Sequence, residues 1–149
     1  MDTIIFDLDG TLANIDDRRT KATNTDGKIN WNVFFAPENI QLDKPNIPVI
    51  KMFKALAASG YKMAIFSGRD DISSKETLSW LASYGIDPDL FRMRRHGSFV
   101  PDDKLKKLWL EDIKKLGHNV ICAYDDRDKV VKMWRDNGIT CMQVDYGNF

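Results

Sequence analysis

At 149 residues the chain has one domain's length, enough to bury a full core; 43% hydrophobic and 30% charged residues are the balance of an ordinary globular protein. Lys plus Arg equals Asp plus Glu at 22 each, which excludes a global field for gathering long nucleic acid but not local basic patches. No apolar run is long enough to cross a membrane, and residues 1–15 lack the basic start and apolar core of a signal peptide, so no membrane role and a cytoplasmic location are expected.

The first predicted strand, Thr3–Phe6, runs straight into Asp7-Leu8-Asp9-Gly10-Thr11. A fold has no structural use for two acids one residue apart at the end of a buried strand: like charges repel, and burying either one unpaired is costly. A positive partner is expected there, and a metal ion is the simplest. Residues 14–46 follow as a long loop with little periodicity, containing Arg18 and the aromatic cluster Trp31, Phe34 and Phe35. A loop of that length in a compact domain is functional or disordered, and the aromatics argue against disorder. They are expected to pack the loop onto the domain, with base stacking as the alternative.

Pro48 opens a helix whose Val49, Met52, Phe53, Leu56 and Ala57 share one face, with Gly60 as its stop. Strand Lys62–Phe66 ends in Ser67-Gly68-Arg69. Ser73 and Glu76 have the spacing of a capping box before a helix closed by Gly85. Strand Leu90–Met93 leads into the basic stretch Arg92–His96, then into a helix carrying Asp102, Lys104, Lys106 and Lys107 and closed by Gly117. Strand Val120–Tyr124 leads into Asp125-Asp126-Arg127 and a helix around Val130, Val131 and Trp134; Thr140–Val144 is the last strand. Cys122 and Cys141 fall in strands without partner spacing and read as buried free thiols; His96 and His118 read as solvated.

Alternation of buried strands and helices predicts an α/β, doubly wound (Rossmann-like) five-stranded parallel sheet with helices on both faces, a single domain over 1–149 with 14–46 as a minimal cap insertion. In such sheets ligands bind beyond the carboxyl ends of the strands. Acids, a hydroxyl, a lysine and glycines converge on that edge from four strands, and that convergence carries more than any one motif.

DLDGT, FSGR, the downstream lysine and YDDR resemble, in order, the four motifs of the haloacid dehalogenase-like (HAD) phosphohydrolase superfamily. Arg18, SGR, Met93-Arg94, DDKLK and the closing MWRDNGITCMQVDYGNF look more narrowly like the 3′-phosphatase domain of phage-type polynucleotide kinase/phosphatase, without any G-x-x-x-x-G-K-[ST] phosphate loop of a kinase half. The resemblance implies Asp7 as nucleophile and Asp9 as general acid and base. It implies Mg2+ on Asp7, the Asp9 backbone carbonyl and Asp125, with Asp126 holding a metal-bound water. Ser67 and the Gly68 N–H would hold a phosphate oxygen, Thr11 the loop, and Arg18 and Arg69 the phosphate or nucleotide; the plain alternative for those two is a pair of surface arginines. Among the three lysines Lys106 matches the family spacing and stands one helical turn from Asp102, which is placed to orient it. Asp125 and Asp126 also have the position of helix caps.

The expected activity is a magnesium-dependent phosphomonoesterase acting on a 3′-phosphate of nucleic acid or a nucleotide, with a separate polynucleotide kinase as partner. The alternatives are a nucleotidase for free nucleoside 5′-monophosphates and a non-catalytic phosphate- or nucleic-acid-binding module; the latter predicts loss of Asp7, Asp9, Lys106 or Asp125, all of which are present.

Overall fold

The computed structural model describes all residues 1–149. In chain order the elements are strand β1 (Asp2–Phe6), strand β2 (Ala13–Asn14), helices α1 (Asp16–Ala22) and α2 (Trp31–Phe34), a 3-10 turn (Pro37–Leu42), and strand β3 (Lys44–Pro45). Helix α3 (Ile47–Ala58), strand β4 (Lys62–Asp70), helix α4 (Ser74–Ser83), strand β5 (Leu90–Arg94), helix α5 (Asp102–Lys115), strand β6 (Asn119–Asp125), helix α6 (Asp128–Asp136) and strand β7 (Thr140–Gln143) follow.

The main sheet is five-stranded and wholly parallel, in the order β5-β4-β1-β6-β7. Side chains of a strand alternate between faces, so Ile4 and Phe6 of β1 enter one core with Phe53 of α3 and Trp80 and Leu81 of α4. Ile5 enters the other, with Trp109 and Ile113 of α5 and Val131 and Trp134 of α6. Burial on both faces is why the strands are apolar runs rather than alternating ones. The chain winds outward from β1 through β4 to β5, then crosses back by α5 to β6. That reversal puts a crevice at the carboxyl end of β1, and the residue there is Asp7.

The segment 14–46 is more ordered than its sequence suggests. Ala13↔Pro45 and Asn14↔Lys44 pair antiparallel and pin its two ends together. Between them α1 buries only Arg18 and Ala22, so no apolar stripe marked it as a helix. Asn30 caps α2 by accepting the N–H groups of Asn32 and Val33. Phe34 is buried while Trp31 stacks on its edge and stays exposed. The segment's Ile15, Ala22, Phe34 and Ile40 join the core shared with α3 and α4, so it is part of the domain's own packing.

Two local expectations fail. Ser73 and Glu76 form no capping box: Ser73 Oγ donates to the Asp70 carbonyl, and a 3-10 turn over Asp71–Ser73 leads into α4 instead. Asp125 and Asp126 do not cap α6, whose first residue is Asp128 and which has no side-chain cap. His96 is solvated as expected, with its Nδ1 2.7 Å from Asp70 Oδ2, whereas half-buried His118 is tied through Nδ1, 2.7 Å from Thr3 Oγ1.

Candidate active site

Asp7 continues β1 by one residue, its N–H donating to the Tyr124 carbonyl at 2.9 Å. Both carboxylate oxygens are held: Oδ1 accepts from Lys106 Nζ at 2.8 Å and Oδ2 from Thr11 Oγ1 at 2.9 Å. Lys106 Nζ also reaches Asp125 Oδ2 at 3.0 Å, a second oxygen contact made possible because α5 crosses from the β5 side to the β6 side of Asp7. Asp125 in turn accepts from its neighbour's backbone N–H and from Trp134 Nε1. The ammonium is buried, yet Asp125 and Asp7 overcome the burial and raise its pKa, so it is always charged.

Carboxylate oxygens of Asp7, Asp125 and Asp126 lie within 4.8 Å of one another, all buried. Burial and the neighbouring Asp125 push the Asp7 carboxyl well above the usual range; burial pushes Asp126 up to about 6. When all three are ionised, three carboxylates facing one ammonium leave two negative charges unmatched, the charge a divalent cation supplies, and the raised carboxyls reflect that crowding without one. Oxygen-only donors fit a hard ion such as Mg2+ or Ca2+. Gly10 fits this crowding: its φ is +81°, and a Cβ there would stand 2.0 Å from Asp126 Oδ2.

Asp9 lies outside that cluster. Its Oδ1 accepts from Arg18 Nη2 at 3.0 Å and Arg69 Nε at 2.7 Å. The same two arginines share a second carboxylate, Asp43, through Arg18 Nε at 2.9 Å and Arg69 Nη2 at 2.6 Å. Two guanidiniums and two carboxylates thus close a neutral square, further fixed by Arg18 on the Phe34 carbonyl and Arg69 on Thr77 Oγ1. Burial alone would raise both carboxyls. At Asp9, with 23% of its side chain exposed, Arg69 and Arg18 win and hold the pKa at about 2; at fully buried Asp43 they offset burial only in part, and the pKa stays raised.

Arg18 and Arg69 are therefore not surface arginines, both being 0% exposed. They reach the cleft through Asp9. Asp43 gave no sequence signal, standing in a stretch with neither motif nor period; only the meeting of Arg18 from α1 and Arg69 from β4 assigns it.

Asp102 does not orient Lys106. It pairs with Arg94 and, at 3.0 Å, with Arg127, tying the segment after β5 to the loop after β6. Lys106 turns instead toward the two deeper carboxylates. Gly68 is packed under Asp102, whose Oδ1 would be 2.6 Å from an added Cβ. Ser67 Oγ is buried and accepts the Arg69 N–H at 3.2 Å, which leaves its hydroxyl proton free for an anion.

Asp7, Asp9, Gly68, Asp102, Lys106, Asp125 and Asp126 line one cleft of about 1460 Å³ that also touches Arg19, Trp31, Phe99, Tyr146 and Phe149; Ser67 lies behind it, buried. The segment after β7 braces its floor: Val144 N–H donates to the Asp125 carbonyl, and Asp128 N–H to that of Gly147. A Cβ on Gly147 would lie 1.8 Å from the Asp126 carbonyl oxygen.

No helix is long and apolar enough to cross a membrane. The sequence matches the family model for the polynucleotide kinase PNKP phosphatase domain over residues 1–149. It is 29% identical over 141 residues to a protein of Autographa californica nuclear polyhedrosis virus assigned as a bifunctional polynucleotide kinase/RNA ligase, covering 89% of this chain and 18% of that protein. A chain in the structure of the Pnkp1/Rnl/Hen1 complex is 35% identical and superposes with a TM-score of 0.80, over 99% of this chain and 47% of its own. Phosphoserine phosphatase, solved as a phospho-aspartyl intermediate analogue, shares the fold at 22% identity and a TM-score of 0.58, over 89% of this chain and 81% of its own. The chain thus spans less than half of the first two relatives. Over its whole described length, it belongs to the HAD-type phosphatase-domain family of polynucleotide kinase.

Proposed function

We propose that this domain is a magnesium-dependent phosphomonoesterase that removes a terminal 3′-phosphate from nucleic acid or a nucleotide through an aspartyl-phosphate on Asp7. The observation that carries the reading is the Asp7 carboxylate, oriented at both oxygens by Lys106 and Thr11 beside two further carboxylates with two charges unmatched. Asp7, Asp125 and Asp126, with the Asp9 backbone carbonyl, would hold Mg2+, which when bound offsets the repulsion between a carboxylate and an incoming phosphate.

In the first step an Asp7 oxygen attacks phosphorus, the P–O bond to the ribose oxygen breaks, and that oxygen takes a proton from Asp9. Lys106 and Ser67, with the Gly68 N–H, receive the phosphoryl oxygens. In the second step water attacks the same phosphorus, Asp9 takes the water's proton, and Asp7 is released with inorganic phosphate. A carboxyl held at about 2 is already a base in the resting protein. It becomes an acid when the phosphate's negative charge arrives beside it and competes for the field of Arg18 and Arg69, so its protonation accompanies substrate binding.

The family and the resemblance to polynucleotide kinase relatives support a 3′ end over a 5′-monophosphate. Under this reading a polynucleotide kinase supplies the complementary step at the 5′ end. The test is phosphate release, with magnesium and with EDTA, from matched nucleoside 3′- and 5′-monophosphates and a 3′-phosphorylated oligonucleotide. Magnesium-dependent preference for 3′ ends, abolished in Asp7→Asn, is the expected result. Preference for 5′-monophosphates would make the domain a nucleotidase, and full activity of Asp7→Asn would remove the aspartyl-phosphate.

A further inference from the structure

The cleft lining includes the aromatic residues Phe99, Tyr146 and Phe149 together with Arg19, Arg94 and Arg127, and Phe149 is flanked by two of the guanidiniums. Arg94 fastens the loop after β5 by donating to the Ser98 and Val100 carbonyls, at 3.4 and 2.5 Å, and Phe99 between them projects outward. Arg94 joins Asp102, and Asp102 joins Arg127. The Arg127 guanidinium lies 5.6 Å from the centre of the Phe149 ring, whose other neighbour is Arg19 of α1 at 5.7 Å. Tyr146, three residues before Phe149, is set by its N–H on Asp145 Oδ1 at 2.8 Å.

The two most exposed large hydrophobic side chains of the molecule are Tyr146 at 96% and Phe99 at 94%, and both belong to this cleft. Each forgoes the stabilisation that covering an aromatic ring brings. Both stand on segments fastened by hydrogen bonds, and neither packs against a core cluster. Exposed rings and arginines lining the same cleft as Asp7 have the composition of a surface that stacks bases and tracks a phosphate backbone. Arg19 supports this: its guanidinium has no carboxylate partner and meets only the Phe149 ring, so its charge is open to an anion.

We propose that Phe99 and Tyr146 stack the unpaired bases preceding the terminal phosphate, with Arg19 and Arg127 meeting the backbone phosphates, so that the substrate is a single-stranded nucleic-acid end. The inference rests on the proposed phosphatase activity and adds what lies beyond the scissile phosphate. A mononucleotide has one base and no second phosphate, and so uses little of this surface. A fully paired end offers its bases to the opposite strand instead.

The experiment measures kcat/KM for a 3′-phosphorylated decamer, DNA and RNA in separate arms, relative to the matching nucleoside 3′-monophosphate. The protein is tested as wild type, Phe99→Ala, Tyr146→Ala and the double variant. Leu108→Ala, an exposed apolar residue on α5 outside the cleft, controls for general loss of surface apolarity. Each base stacked contributes about 1–3 kcal/mol, so each single variant should lower the ratio about fivefold to a hundredfold, and the double variant more. A fluorescein-labelled decamer bound in EDTA should dissociate more readily from the same variants, and annealing its complement should weaken binding to wild type. A loss in either the DNA or the RNA arm supports the proposal and names the sugar. Ratios within twofold of wild type in both arms, on an active enzyme, would overturn it. If wild type releases no phosphate from the decamer but hydrolyses monophosphates, the assumed nucleic-acid substrate fails, and the decamer's binding then reads the stacking surface by itself.

Discussion

The Asp43 carboxylate bonds only to the two arginines that hold Asp9, which makes Asp43→Asn a sharp test of the buried square. The substitution keeps the shape and one carbonyl oxygen but removes a charge. Asp43 accepts at 2.9 Å from Arg18 and at 2.6 Å from Arg69. An asparagine accepts from one of them with a neutral oxygen and turns an N–H2 toward the other, donor against donor. Hydrogen bonds to charged groups contribute about 1.5–3 kcal/mol each, and breaking one side of a buried ion pair costs about 3–5 kcal/mol. The raised pKa of Asp43 marks its ionisation as costly, which returns part of that loss. The expected destabilisation is therefore about 3 kcal/mol, or about 6–12 °C in Tm for a chain of this size. Urea unfolding followed by tryptophan fluorescence, to which Trp80 contributes with its Nε1 on the Asp43 carbonyl, measures it. The double variant with Arg18→Met restores charge balance to the Arg69–Asp9 pair, so it should be at least about 1 kcal/mol more stable than the two single losses added. A loss under about 1 kcal/mol, or strict additivity, would refute the square as a coupled unit.

Two further outcomes follow from the acidic cluster. Lys106→Met removes the one cation among three buried carboxylates, so turnover should collapse, the metal-free protein should lose several kcal/mol, and added Mg2+ should raise Tm more in the variant than in wild type; equal metal-induced shifts would contradict it. Asp126, raised from 3.8 to about 6 without metal, stabilises the metal-free fold fully only below the unfolded value; that stability is lost as pH rises to about 6 and stays lost above it until a cation arrives. Mg2+ binding by calorimetry should accordingly weaken about tenfold per pH unit below 6, with proton uptake by the buffer, and a pH-independent affinity between 5 and 7 would contradict it.

The strands and the acids of the cleft were legible because two signals coincide: short apolar runs mark buried parallel strands, and polar residues directly after them mark the ligand edge. Strand β4 nonetheless runs to Asp70 rather than Phe66: Ser67 pairs with Met93 and Asp70 with Arg94 of β5, and Gly68 and Arg69 bulge out of the ladder between them. Nothing local reports that pairing. Helix α1 was hidden for the opposite reason: Asp16–Ala22 is polar but for its last residue, and what it buries besides Ala22 is an arginine. A guanidinium inside a domain breaks the rule that charges face water, and its counter-ion, Asp43, comes from twenty-five residues away. The Asp102 and Lys106 spacing did report a shared helical side, but not where the lysine ends. Its flexible stem carries the charge past Asp102 to two deeper carboxylates, while Asp102 is taken by two arginine forks.

Charge divides the site in two. Asp9, Asp43, Arg18 and Arg69 balance among themselves, whereas Asp7, Asp125, Asp126 and Lys106 retain two negative charges. A divalent cation is therefore drawn to the second group and gains nothing from the first. Asp7 and Asp9, two residues apart, fall on opposite sides of that division, and their pKa values are pushed in opposite directions. Gly10 makes the division possible by turning the chain away at once, where any side chain would strike Asp126. The pair of acids that a strand alone could not tolerate is tolerated because each belongs to a different electrostatic compartment, one closed by arginines and the other left open for a cation and a phosphate.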